Sequence, residues 1–348
     1  MKYLESREFL GKAENLPVVD VRSPGEYLEG HIPGAINIPL FTNEERSEVG
    51  ILYKKQGRLA SIRKGLEFVG PKMVQLVDLA LELSPGGELL VHCWRGGMRS
   101  ESMAWLFETA GLRCSVLTGG YKAYRKHIRE NLFQEKEMLV LGGLTGSGKT
   151  LLLHEMQELG EPVVDLEGLA SHKGSAFGGI GQGKQPNTEQ FENNLYWEMS
   201  KIKESYCWVE DESLHIGKIF IPKPFYERML QSKLLFIDVP HEYRVQVLVS
   251  DYAMQDINLL EEAILRVEKR LGKLAARQAI EALQSGDFYE TASILIAYYD
   301  KTYQYGLNRK KEDLVCRLDL TEIPPDSYSD TIIKQKKSLL GKNLPGIQ

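Results

Sequence analysis

The chain has 348 residues, 43% of them apolar and 26% charged, and carries a net charge of −5. That length exceeds one ordinary core and points to two domains. The balance is that of a soluble globular protein. No apolar run is long enough for a bilayer, and Met1 to Glu8 hold no signal-peptide core, so the cytoplasm is the expected compartment. Net acidity argues against a general affinity for nucleic acid, although a local basic stripe suffices to hold a phosphate backbone. The four cysteines form no Cys-x-x-Cys pair and no zinc spacing. Cys114, Cys207 and Cys316 sit in short apolar runs and read as core residues, whereas Cys93 stands in a loop.

In chain order, residues 16–21 read as a buried strand. Ser23-Pro24-Gly25-Glu26 follows as a helix start, with Ser as N-cap, Pro at the first helical position and Glu closing a capping box. Gly30-His31-Ile32-Pro33-Gly34 turns into another short strand. Residues 43–83 are mostly helical in pattern, with an apolar face from Met73 onward. The strand from Glu88 runs into Cys93-Trp94-Arg95-Gly96-Gly97-Met98-Arg99-Ser100, and a helix is predicted over 101–110. The glycines allow consecutive N–H groups to point inward as an anion nest. Arg95, Arg99 and the helix N-terminus add positive potential, so Cys93 is expected to be a nucleophile facing an oxyanion pocket. A strand over 114–117 and Gly119-Gly120-Tyr121 close this half. The charged stretch 124–137 is predicted as a helix that leads to the next domain.

Residues 138–150 form a strand, a glycine-rich loop and a helix start. Gly143-Leu144-Thr145-Gly146-Ser147-Gly148-Lys149-Thr150 is a complete Walker A pattern in the required context. Its amides wrap a phosphate, Lys149 neutralises it, and Thr150 can reach a magnesium ion. The motif calls for a polyphosphate and does not choose between a nucleotide and another diphosphate. Further strands are predicted near 161–166, 206–212, 234–239 and 314–318, which gives a parallel sheet of about five strands. Glu210 and Asp211 stand where a Walker B acid belongs. The glycine-rich, basic segment 171–186 is long enough to be a lid or binding loop. From Asn258 a long helical stretch places Arg266, Lys269, Arg270, Lys273 and Arg277 largely on one face. Tyr289, Tyr298, Tyr299, Tyr303 and Tyr305 alternate downstream with Lys301, Arg309, Lys310 and Lys311, a mixture suited to stacking RNA bases as well as to packing. The tail after Pro324 is polar, lysine-bearing and expected to be poorly ordered.

Asp20-Val21-Arg22-Ser23-Pro24-Gly25-Glu26-Tyr27, Gly30-His31-Ile32-Pro33-Gly34-Ala35, the cysteine loop and Thr118-Gly119-Gly120-Tyr121 resemble the rhodanese domain in the correct order. Rhodaneses carry sulfur or selenium on the loop cysteine. Here Arg99 follows Cys93 after five intervening residues rather than the usual four, a spacing similar to that of rhodanese-like phosphatases and suited to a tetrahedral oxyanion such as selenophosphate.

A rhodanese domain followed by a P-loop domain resembles the tRNA 2-selenouridine synthase family. The further marks are Gly174-Ser175-Ala176-Phe177-Gly178 and Val209-Glu210-Asp211-Glu212-Ser213. The resemblance implies a selenium transferase with geranyltransferase activity that acts on the wobble 2-thiouridine of tRNA. Its co-substrates would be geranyl diphosphate and selenophosphate, without a tightly bound cofactor or resident metal and with magnesium left open. Cys93, Arg95 and Arg99 would be catalytic, with selenium held on Cys93 as a selenosulfide. Gly143, Gly146, Ser147, Gly148, Lys149 and Thr150 would cradle the diphosphate. The expected partners are the tRNA anticodon arm and, transiently, selenophosphate synthetase, with no membrane. The expected fold is α/β: a rhodanese-like parallel-sheet domain (1–130), a linker (131–137), a P-loop NTPase-like parallel-sheet domain with a helical C-terminal part (138–320, RNA-binding helices about 256–310) and a polar tail (321–348). An ATP-dependent tRNA sulfurtransferase and a nucleotide-gated rhodanese binding protein remain as alternatives.

Overall fold

The computed structural model describes residues 1–132, 136–307 and 312–340, except for the side chains of 301–307 and 312. The chain divides into two compact units, Met1–Leu132 and Phe133–Gln348. Of the predicted linker, 133–135 lie outside the described residues.

In the first unit five parallel strands, β1 (Lys2–Leu4), β2 (Val18–Asp20), β3 (Ile36–Asn37), β4 (Glu88–His92) and β5 (Arg113–Leu117), lie in the order β1-β5-β4-β2-β3. The helices are α1 (Ser6–Ala13), α2 (Pro24–Glu29), α3 (Asn43–Gln56), α4 (Arg58–Val69), α5 (Met73–Leu83), α6 (Met98–Thr109) and α7 (Gly120–Asn131). The capping box predicted at Ser23 forms, with Glu26 closing on the Ser23 amide. Alternate strand residues, Leu89 and Val91 with Cys114 and Val116, pack against Leu76, Met103 and Phe107 of α5 and α6. That two-residue period is why both faces of the sheet must be covered. The edge strand β1 and helix α1 went unpredicted, because three strand residues are too few for a periodic signal. Helix α6 begins at Met98, ahead of its predicted start, so Arg99 and Ser100 lie in its first turn.

In the second unit β6 (Glu137–Gly143), β7 (Val163–Val164), β8 (Tyr206–Glu210), β11 (Lys233–Asp238) and β12 (Val315–Asp319) form the parallel order β12-β11-β6-β8-β7, and β9 (His215–Ile216) with β10 (Ile219–Phe220) forms a small antiparallel hairpin. The helices run from α8 (Lys149–Glu158) through α9 (Leu166–Ala170), α10 (Thr188–Lys201), α11 (Lys223–Gln231) and α12 (His241–Tyr252). They continue with α13 (Ile257–Leu271), α14 (Lys273–Gln284), α15 (Phe288–Leu307) and α16 (Tyr328–Leu339). β6 is central and delivers its C-terminal end to the glycine loop. Among the described residues no helix is long and apolar enough to cross a membrane.

Three expectations are corrected. The tail is ordered over α16: Tyr328, Ile332 and Leu339 are buried in one core with Leu152, Leu153 and Met156 of α8. Lys336, which helped the tail to read as polar, reaches Glu161, itself hydrogen-bonded by Tyr206 (2.9 Å) and Trp208 (3.1 Å). Residues 341–348 lie outside the described residues. Ile332→Ala is expected to lower the stability of this unit by about 2–4 kcal/mol, seen as an earlier urea midpoint for the Trp208 fluorescence change. Second, the long basic helix is two helices, broken at Gly272 with φ +93°. Third, Cys316 is only half-buried, whereas Cys114 and Cys207 are buried and their thiols are pushed up to about 12 by desolvation.

Candidate functional site

The cysteine loop is held by a second loop. Gly96 and Gly120 have φ of +62° and +60°. A Cβ on Gly96 would lie 2.4 Å from the Leu117 carbonyl oxygen, and one on Gly120 would lie 2.3 Å from that of Cys93. Only glycine allows this approach. Tyr121 N then donates to Cys93 O (2.8 Å) and Lys122 N to Trp94 O (3.0 Å). Behind the loop, the Arg22 guanidinium lies 4.0 Å from the Tyr121 ring centroid and is paired with buried Asp20. Burial would raise the Asp20 carboxyl, but His92 and Arg22 outweigh it and hold it below its ordinary value.

Cys93 follows β4 directly and is only 3% exposed. Its Sγ lies 3.2 Å from Oγ of fully buried Ser100, whose hydroxyl donates to the Gly97 carbonyl oxygen at 3.0 Å. The N–H groups of residues 94–100 meet no acceptor among the described residues. These amides and the N-terminus of α6 are the donors that an anion entering the loop would meet. The two arginines behave differently from each other. Arg95 is exposed. Arg99 is engaged by Glu26 through both guanidinium ends, at 2.7 and 3.2 Å. Arg99 thus grips a carboxylate, and an oxyanion entering the loop competes with Glu26 for it. Sequence reasoning found Glu26 only as a helix cap and passed over the role of Ser100.

The phosphate loop connects β6 to α8. Gly146 and Gly148 have φ of +80° and +74°, and a Cβ on Gly146 would meet the Arg244 carbonyl oxygen at 2.6 Å. Gly143 lies under the loop, where a Cβ would come within 2.6 Å of Ser147 Oγ. Lys149 Nζ donates to the Gly143 carbonyl oxygen (3.0 Å), and Thr150 Oγ1 donates to Glu167 (2.7 Å). Buried Arg244 fixes the loop from outside by donating to the Thr145 carbonyl oxygen (2.8 Å) and pairing with Asp300.

Of the two predicted Walker B acids, Glu210 is wholly buried and accepts the Leu166 amide at 2.9 Å. Burial, and next the Asp165 charge, push its carboxyl well above the usual range. Glu212 is likewise raised, first by burial and then by Glu167. Glu167, which accepts from Thr150, lines the cavity at the loop with Asp211 and Glu212, and Asp165 is held by His154 at 2.7 Å. Glu210 thus holds the Leu166 amide inside the sheet end, whereas Asp211, the other acid expected there, lines the cavity at the phosphate loop.

A cavity of about 1410 Å³ opens from this loop. Its lining joins Thr145–Leu151 and the acids Glu167, Asp211 and Glu212 to apolar side chains of the helical part, among them Leu260, Ile264, Val267, Leu283 and Leu295. The segment 171–186 forms part of its wall. That segment is anchored rather than a free lid, because Phe177 and Ile180 are buried among α13 and α14, and Lys173 pairs with Asp251 at 2.7 Å. Arg266, Lys269, Arg270 and Lys273 are exposed around the α13–α14 corner, while Arg277 is paired with Glu281. Tyr298 and Tyr299 line the cavity, Tyr299 also packs against the core of α13 and α14, and Tyr289 is 43% exposed. The side chains of Lys301, Tyr303 and Tyr305 and all of Arg309, Lys310 and Lys311 lie outside the described residues.

Fold and loops together define a rhodanese-like unit with an anion-binding cysteine loop, fused to a P-loop unit. A rhodanese-like domain model matches residues 5–127, and a model described as the tRNA 2-selenouridine synthase AAA domain matches residues 136–325. The tRNA 2-selenouridine synthase of Shewanella frigidimarina is 34% identical over 346 residues, covering 88% of this chain and 92% of that protein. That of Aeromonas salmonicida is 33% identical over 343 residues, 87% and 91% of the two chains. Among solved structures, a rhodanese-related protein from Thermoplasma volcanium matches 36% of this chain and 93% of its own at 20% identity and a TM-score of 0.23. The chain belongs to the tRNA 2-selenouridine synthase family, and it is a tRNA-modifying enzyme.

Proposed function

We propose that the enzyme converts wobble 2-thiouridine to 2-selenouridine in two half-reactions, one in each unit. In the P-loop unit the thiocarbonyl sulfur attacks the first carbon of geranyl diphosphate. Diphosphate leaves and the base loses its N3 proton. In the rhodanese-like unit selenium from selenophosphate replaces the geranylthio group, which departs as a thiol. The second step is easier for the first, because alkylation makes sulfur a better leaving group.

The observation that carries this reading is the composition of the cavity. A phosphate loop that opens onto leucine, isoleucine and valine suits a diphosphate joined to a short isoprenoid chain. Gly146, Ser147 and Gly148 would supply amides to the diphosphate and Lys149 its charge. Magnesium, if it accompanies the diphosphate, finds hard oxygen donors in Thr150 and Glu167, whose mutual contact it would replace. It would neutralise charge on the departing diphosphate. The exposed Arg266, Lys269, Arg270 and Lys273 would hold anticodon-arm phosphates, which position the RNA without reading its sequence. Selenophosphate synthetase would be a transient supplier.

Val267 lines the apolar part and is nearly buried. Val267→Phe is expected to weaken geranyl diphosphate about tenfold, roughly 1.4 kcal/mol, and inorganic diphosphate by no more than about twofold. Calorimetric titration of both ligands checks this. Equal losses for the two, or ATP binding more tightly than geranyl diphosphate, would favour the ATP-dependent sulfurtransferase instead.

A further inference from the structure

We propose that Cys93 acts on phosphorus rather than on selenium: its thiolate takes up the phosphoryl group of the selenium donor and leaves selenium at the selenide level. This rests on the selenium-transfer reading above and replaces the selenosulfide that the rhodanese resemblance implies. The electron count is the first reason. Selenium in selenophosphate, sulfur in 2-thiouridine and selenium in 2-selenouridine all stand at the same oxidation level, so the exchange is redox-neutral. A selenosulfide is oxidised by two electrons relative to thiolate and selenide. Making it from selenophosphate requires either reduction of the phosphorus or an added oxidant, and neither the donor nor the chain provides one.

The loop is the second reason. Cys93 and Arg99 are separated by five residues, and the N–H groups of residues 94–100 lack acceptors among the described residues. A run of donors with no acceptor of their own suits the three oxygens of a phosphoryl group in flight. Arg99 already holds an oxyanion bidentately in the form of Glu26, so its fork is shaped for the exchange. Ser100 Oγ, 3.2 Å from Sγ, can turn its one hydroxyl proton from the Gly97 carbonyl oxygen to the sulfur when that is a thiolate, before attack and again as it leaves. Ser100 is therefore a positioning residue.

In the step itself a sulfur–phosphorus bond forms as the phosphorus–selenium bond breaks, and the electron pair of that bond leaves with selenium. Selenium departs as hydrogen selenide anion if the donor is free selenophosphate. If selenium is already bonded to carbon 2, it stays on the base as the selenocarbonyl. Water then attacks the phosphocysteine, releasing phosphate and a proton and restoring the thiolate.

The two adducts add nearly the same mass to the protein, so isotopic labels decide. The full chain is mixed with an S-geranylated anticodon stem-loop and selenophosphate carrying phosphorus-32 or selenium-75, quenched in denaturant during turnover, and digested. Phosphorus-32 on the Cys93 peptide without selenium-75 is expected. Selenium-75 on Cys93, or 2-selenouridine formed with neither label on the protein, would overturn the proposal. If the wild-type chain makes no 2-selenouridine from these substrates, the selenium-transfer reading itself falls and takes this with it. Ser100→Ala is expected to slow the loss of phosphorus-32 from labelled Cys93 several-fold after a chase with unlabelled selenophosphate, because the departing sulfur loses its donor. An unchanged rate of loss would remove Ser100 from the step.

Discussion

A Cys93→Ala enzyme is expected to form 2-selenouridine at least about 10⁴-fold more slowly, the scale of losing a covalent nucleophile, while S-geranylated RNA accumulates at the wild-type rate. The reasoning is geometric. Cys93 lies at the C-terminal end of β4, under the unpaired amides of residues 94–100, with Ser100 beside its sulfur. No other cysteine shares this setting, because Cys114 and Cys207 are buried thiols in the two sheets, and Cys316 lies on strand β12. RNA affinity should change by no more than about twofold, since neutral alanine removes no phosphate contact. Nucleoside mass spectrometry after incubation with both co-substrates gives the two products separately. Retained 2-selenouridine would take Cys93 out of the chemistry.

The second large effect is expected at Lys149. Its ammonium bonds the Gly143 carbonyl oxygen across the phosphate loop and is the cation that a diphosphate would meet first. A charge-assisted hydrogen bond contributes about 1.5–3 kcal/mol, so Lys149→Ala should weaken geranyl diphosphate by roughly 10- to 100-fold. Geranylation should fall further, because the same charge stabilises the leaving diphosphate in the transition state. Conversion of RNA supplied already S-geranylated should continue. Unchanged diphosphate affinity would return the loop to the nucleotide reading.

How much of this was legible beforehand depended on the range of the interaction. The phosphate loop and the cysteine loop were readable because their glycines answer a local backbone demand, at Gly146, Gly148 and Gly96. The Arg99–Glu26 pair joins residues 73 apart, and only docking of α2 beside α6 creates it. Glu167 and Glu212 gave a faint signal, acids just past the ends of β7 and β8, but which acid faces Thr150 depends on the turn of each strand end. Helix α16 was hidden by composition: Lys334, Lys336 and Lys337 made the tail look solvated, although Tyr328, Ile332 and Leu339 recur at steps of four and seven along one helical face. The break at Gly272 was visible as a glycine and was passed over in favour of the continuous charge pattern.

The interlock of Gly96 with Gly120 carries an inherited constraint. Each position is closed to a side chain by backbone atoms of the other's loop, so neither can drift alone, and a change at one cannot be rescued by trimming a side chain at the other. The two glycines are one locus written in two places. Divergence in this enzyme can reach the residues between them and the arginines around them, but the curve of the chain that presents the sulfur has no neighbouring sequence through which to escape.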